Sequence, residues 1–332
     1  MLKLRYLFED FELAKRALEN WAHDTASLDG LLRQFRISSN AIYPFACGGN
    51  TCFLRLSPAG EKLRDNLAGE LEYIMYLQAH GYAALCPVPA QNGKYLTTVS
   101  KDSTEYYACA FRKVPGIPIE DTDYSEEIML AYGNALAQLH NLSSAFSPKT
   151  KKWAHDEVFV WIKQTLTEYH APESALRELE TLMHEFSALP MRQDNYGLVH
   201  YDFEPDNVFY DPGSKKCSVI DFDDSMYHWY ALDLEQVFDC LKQELGADAL
   251  PSAKDSFLRG YTKLRPYTQE MEDSLVLMRR FIDLYGYARL IRCVSEHFRT
   301  EPEWLIKLRL KLNRIIEQRE QGFEKRHTLI SG

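Results

Sequence analysis

The sequence predicts an α+β fold in two unequal lobes: a small antiparallel-sheet lobe over residues 1–113 and a larger, mainly helical lobe over 114–332. Three observations predict it. Strand-like runs with hairpin chemistry crowd the first third of the chain, a Pro/Gly break, "VPGIPIE" at 114–120, follows them, and helical periodicity dominates beyond it. The small lobe is expected to hold an N-terminal helix, a five-stranded sheet and one further helix, with the break as the hinge.

Residues 10–23 carry helical periodicity. Strand-like runs follow at 31–37, 41–46 and 51–56, and "CGGN" between the last two supplies the positive-φ positions of a hairpin turn. "EKLRDNLAGELEYIMYLQAHGY" then places Leu63, Leu67, Leu71 and Ile74 on one face of a helix closed by Gly81. "GKYLTTVS" and "EYYACAFRKV" alternate as two more strands. After the break, "SEEIMLAYGNALAQLHNLS" opens with a serine and two glutamates, as a helix N-terminus prefers. Two further helices precede a pair of apolar strands tipped with carboxylates, in "LVHYDFEPDNVFYD" and "CSVIDFDDS". From about Ala231 onward the chain reads as helix.

The 332 residues are 45% apolar and 26% charged, ordinary for a globular protein, and no run reaches the ~18 apolar residues that span a membrane. Seven cysteines without a CxxC pair favour reduced thiols and a cytoplasmic location. A formal charge of −10 argues against nucleic acid as a partner.

The carboxylate-tipped strands carry the chemistry. Asp202 is followed five positions later by Asn207, and fourteen residues on, Asp221 ends an apolar run. Two carboxylates and an amide oxygen form a hard, all-oxygen set suited to Mg2+. D-x-x-x-x-N followed by a strand and D-F is the spacing of kinase-type phosphoryl transfer, in which one Asp orients the attacking hydroxyl while the Asn and second Asp hold metal. Crowded carboxylates repel, and a divalent ion with nucleotide phosphates resolves the conflict. Glu204 and Asp206 read as solvated loop residues.

"VHYDFEPDNVFYD…SVIDFDDSMYHWYALDLEQV" resembles the signature of the aminoglycoside phosphotransferase/choline kinase superfamily, HGDxHxxN followed by a strand ending in ID and a DLA-like helix start. His200, Asp202, Pro205, Asn207, Asp221 and Asp233 stand at matching positions; Tyr201 replaces the usual glycine and Glu204 the frequent histidine. The resemblance extends in order over nearly the whole chain. It implies a bilobal protein-kinase-like fold, Asp202 as catalytic base, Asn207 and Asp221 as Mg2+ ligands, Asp233 as a buried brace of the catalytic loop, and His200 as a structural residue behind it. It also implies ATP or GTP as phosphoryl donor. Arg55, in "CFLRLSP", stands where the family has lysine, with Glu70 as its ion-pair partner; guanidinium grips phosphate bidentately but is not a neutral swap for ammonium. "ISSNAIY" resembles the family's phosphate loop, with Ser39 and Asn40 as candidate phosphate contacts. The adenine is expected against Phe111, Arg112 and Val114. His140, in "QLHNL", is read as core packing.

"FDDSMYHWYAL" alone separates Asp221 from Asp233, which leaves no room for the peptide platform of a protein kinase, so a small-molecule hydroxyl acceptor is favoured. Candidates for its pocket are Asp223, Asp224, Tyr227, Trp229, Glu235 and Asp283, a set suited to an amine through ion pairing and cation–π contact. Arg280, Arg289 and Arg292 argue instead for a carboxylate or phosphate acceptor. Two other readings remain: a nucleotide-binding protein with little transferase activity, and a kinase acting on protein hydroxyls.

Overall fold

The computed structural model describes residues 2–330, with side chains through 326. The chain runs α1 (Phe11–Leu18), α2 (Leu28–Leu32), β1 (Arg36–Ile37), β2 (Ala41–Cys47), β3 (Asn50–Pro58), α3 (Arg64–Ala79), β4 (Cys86–Val88), β5 (Thr97–Lys101) and β6 (Thr104–Arg112). It continues β7 (Ile117–Pro118), α4 (Glu126–Ala145), α5 (His155–Glu168), α6 (Glu173–Ser187), β8 (Tyr196–Val199), β9 (Val208–Asp211), β10 (Lys216–Val219) and β11 (Met226–Trp229). Four helices close it: α7 (Ala231–Glu244), α8 (Leu250–Tyr261), α9 (Gln269–Val294) and α10 (Glu303–Ile330). None of the described helices is long and apolar enough to cross a membrane.

The small lobe is an antiparallel sheet in the order β1-β2-β3-β6-β4, with β5 also on β6. Cys47 pairs with Asn50 across Gly48 and Gly49, whose φ of 56° and 79° give a two-residue turn that only glycine adopts without strain. Alternation turns Tyr43, Phe45, Leu54 and Leu56 toward Leu13, Leu18 and Trp21. The opposite face of β3 presents Arg55, opposite Cys109 on β6.

Four expectations change. The strand expected at 31–37 shrinks to Arg36–Ile37, because Leu28 and Leu32, four residues apart, both bury in the sheet core as one helical turn. The first helix stops at Leu18, where the Trp21 indole turns in to donate to the Val88 carbonyl at 2.9 Å; Asp10 caps its start by accepting from the Leu13 amide at 3.0 Å. The sheet gains a sixth strand, β4, whose three residues include Pro87 and carry no visible alternation. Leu63, expected on the buried face of α3, sits at its N-cap and is exposed.

The two lobes share apolar packing. Leu71, Ile74 and Leu77 of α3 belong to one buried cluster with Leu136, Leu198 and Val219 of the helical lobe. Leu4 packs with Leu290 and Leu305, so the first turn of the chain lies against the helical lobe. The 114–120 segment is pinned, since β7 pairs with β9. The two carboxylate-tipped strands are not partners: β8 pairs with β11, and β9 with β10. The Asp202 loop therefore runs from β8 to β9 and the Asp221 loop from β10 to β11, and the two loops meet where the β9–β10 pair ends, the Ile220 amide donating to the Asn207 carbonyl at 3.0 Å.

Candidate active site

The loop after β8 is held from below. Asp233, fully buried at the start of α7, accepts from the His200 amide at 2.9 Å and the Tyr201 amide at 2.8 Å. It also accepts from His140 Nε2–H at 3.0 Å, which leaves His140 Nδ1 to accept from the Tyr261 hydroxyl at 3.0 Å. A residue expected only to pack is thus part of the brace, and burial lowers its proton affinity so that it stays neutral. His200 Nδ1 accepts from the Asp202 amide at 3.2 Å and Nε2–H donates to the Ile220 carbonyl at 2.9 Å. Burial pushes His200 down to about 4, which keeps this tautomer neutral. Those bonds tie the two carboxylate-bearing loops together.

Asp202, Asn207 and Asp221 line one cleft of about 320 Å3. Asn207 Nδ2 donates to the Asp202 backbone carbonyl at 3.1 Å and to Oδ2 at 3.0 Å. That fixes the amide so that Oδ1 is the atom left for a ligand. Burial, then the charge of Asp223, pushes the Asp221 carboxyl up to about 6. Burial also raises Asp202 well above the carboxylate range, with Glu204, Asp221 and Asp224 adding to it. Two carboxylates and an amide oxygen facing one cleft are a donor set that fits a hard divalent ion. Among the described residues no group of three His, Cys, Asp or Glu side chains forms a metal site, so the remaining ligands would come from nucleotide phosphates and water.

Across the cleft, Arg55 donates to Glu70 through two bonds of 2.8 and 2.6 Å, both side chains being buried. The guanidinium lies 5.1 Å over the Phe111 ring and lines the same cleft. Ser39, Phe111 and Val114 also line it, and Arg112 stands exposed at its rim. Asn40 does not face the cleft. Its Nδ2 donates to Asp223 Oδ2 at 3.0 Å and its Oδ1 accepts from Ser57 at 2.7 Å, so its side chain is spent on joining the lobes. Glu204 and Asp206 are not solvated loop residues. Both are half-buried, burial raises Glu204, and Asp206 lines the cleft with Arg36 3.7 Å away.

The acceptor candidates separate. Asp223 pairs with Lys62, and Asp224 with Arg289 at 2.6 Å. Glu235 is held by Arg279 at 2.8 Å, and Asp283 lies 3.9 Å from Arg326. Trp229 is core: its indole donates to the Pro190 carbonyl at 3.0 Å and its ring packs on His155 and Tyr196. Tyr227, within β11, lies under Lys151 and does not line the cleft. Arg292 is committed to Glu61 at 2.7 Å and Arg280 to Glu178 and Glu185.

Lys62 and Lys152 were not singled out from the sequence. Lys152, buried before α5, donates to the Phe222 and Asp223 carbonyls at 3.1 and 2.8 Å. Neither lysine has a local motif; each reaches its partner across 70 residues or more.

Residues 36–271 match the model of the phosphotransferase enzyme family. Amicoumacin kinase of Bacillus subtilis (strain 168) is 27% identical over 204 residues, 59% of this chain and 59% of that protein, so the match spans less than two thirds of the relative. Among solved structures, an amicoumacin kinase in complex with AMP-PNP, Ca2+ and Ami superposes with a TM-score of 0.78, at 18% identity over 97% of this chain and 95% of that one. The microcompartment-associated aminopropanol kinase gives 0.66, at 20% identity over 96% and 98%. These likenesses establish the kinase-like fold.

Proposed function

The chain belongs to the phosphotransferase enzyme family, and from that premise we propose that it is an Mg2+-dependent kinase moving the γ-phosphoryl group of ATP or GTP to a hydroxyl of a small molecule. The observation that carries this reading is the meeting of Asp202, Asn207, Asp221 and Arg55 on one cleft although they come from three separate segments. A bound Mg2+ would neutralise charge on the transferring group. Asn207 Oδ1 and Asp221 would hold it. Asp202 would orient the acceptor hydroxyl and take its proton, a role suited to a carboxyl whose proton affinity burial has raised. Arg55, aimed by Glu70, would grip phosphate oxygens. Phe111 and Val114 would wall the base.

The stretch between Asp221 and Asp233 supports a small acceptor. It is consumed by β11, which pairs with β8 and offers no platform for a peptide.

The test is a coupled nucleotide-consumption screen over aminoglycosides, amino alcohols and hydroxy amino acids with Mg2+. Turnover is expected on one class, and Asp202→Ala should lower kcat by roughly 10²–10⁴-fold. Undiminished turnover in that variant would remove Asp202 from the chemistry. Mg2+-dependent nucleotide binding without turnover on any acceptor would favour a nucleotide-binding protein.

A further inference from the structure

Tyr201 holds a φ of 64°, a conformation that strains a side chain and that glycine adopts freely. The strain places a buried aromatic ring directly before Asp202, 5.3 Å from the ring of Tyr285 on α9. Gly286 follows Tyr285. A Cβ there would stand 2.3 Å from Nη1 of Arg319, so α10 lays this guanidinium on the bare backbone of α9, beside the two rings.

The arginines of this region differ in one respect. Arg279 is held by Glu235 and Asp239, and Arg289 by Asp224. Arg319 makes no hydrogen bond or ion pair among the described residues, and its Nη1 is buried without a partner. Asp283 is the carboxylate that most attracts it, yet Asp283 makes its 3.9 Å contact with Arg326. Burial lowers the proton affinity of Arg319, and Arg279 and Arg289 add repulsion. The side chain is half-buried, and its enclosed Nη1 lacks the anion that would offset its desolvation. Arg289 and Arg319 both act on Tyr201, and of the two only Arg289 has a carboxylate partner among the described residues.

We propose that Arg319 is a specificity-determining residue that binds an anionic group, carboxylate or phosphate, carried by the hydroxyl acceptor. The inference rests on the kinase reading above and narrows its substrate class. Gly286 is the positioning residue that lets the guanidinium reach this site.

The experiment compares acceptors in three arms with the full chain: hydroxy amino acids (serine, homoserine), a phosphorylated alcohol (glycerol 3-phosphate), and uncharged or cationic alcohols (glycerol, ethanolamine, kanamycin). One of the two anionic arms is expected to be preferred, and which one identifies the anion. Arg319→Met should raise KM for that acceptor about 10- to 100-fold, with kcat and the nucleotide KM unchanged and Arg319→Lys recovering part of the loss. Gly286→Ala, which keeps the charge but displaces it, should raise the same KM and serves if Arg319→Met does not fold. Turnover confined to the third arm, or an unchanged acceptor KM in these variants, overturns the inference and leaves the kinase standing. No turnover in any arm together with no Mg2+-dependent nucleotide binding overturns both.

Discussion

Asp221 and Asp223 are two residues apart in one loop, and their environments are opposite. Both are enclosed, and burial works to raise both carboxyls. At Asp223 the combined attraction of Lys62, Arg55 and Lys152 overcomes burial and the carboxyl is lowered; at Asp224, Arg289 and Lys62 together do the same. Asp221 and Asp202 have no such ion pair and are raised, each by burial first. The two aspartates between the lobes thus have cationic partners in contact, whereas the two that face the cleft feel Arg55 and Arg289 only at longer range. On the proposed reading, a carboxylate that would hold an exchangeable metal is left without a contacting cation, while one that joins the lobes is paired in place.

Substitutions test this division, and the largest effect is expected at Asp221. On the proposed kinase reading Asp221→Asn would remove a metal ligand worth several kcal/mol of transition-state stabilisation, on the order of 10³-fold in kcat. The same change should not lower the melting temperature without metal, because it removes a buried, unpaired charge. A marked loss of metal-free stability would show that Asp221 is structural.

Lys62→Met should act in the opposite sense. It strips the cation from Asp223, which keeps only the Asn40 bond, and should lower unfolding free energy by about 2 kcal/mol. Adding Asp223→Asn should return part of that loss. Additive losses in the double variant, measured by denaturant titration, would argue against the pair.

The smallest effect is on acid stability. His200 is neutral when folded, at about 4, against an ordinary value of about 6.5. Between those values the unfolded chain binds a proton that the folded chain does not, so stability falls as pH drops from about 6.5 toward 4. At pH 5.5 His200 alone should account for about 1 kcal/mol. Comparing His200→Asn with the parent at pH 7.5 and 5.5 reads this out, and equal losses at both pH values would exclude it.

The meeting of Asp202, Asn207 and Asp221 in one cleft was legible because they are close in sequence and flank short apolar strands, so type, spacing and pattern agree. Arg55 and Glu70 were legible for a related reason, since a strand and the helix that follows it fix their approach. The reading failed where a polar side chain is spent on a distant partner. Asn40 sits in a loop with phosphate-binding character, yet its amide is taken by Asp223, 183 residues away. Trp229 and Tyr227 share the aromatic character of a ligand pocket, but β11 pairs with β8 and turns them into core and flank.

By itself the sequence determined the two-lobe α+β order, the hairpin at Gly48–Gly49, the carboxylate-tipped strands and the aspartate, asparagine and arginine of the cleft. These depend on periodicity, backbone freedom and short spacing, all local properties. Only the tertiary structure decided which carboxylates have cations. Lys62 lies 161 residues from Asp223, and Arg289 lies 65 from Asp224. It also laid Arg319 on the glycine of another helix, with Nη1 unpartnered among the described residues. Charge pairing acts across space at a few ångströms, and distance along the chain carries no record of it.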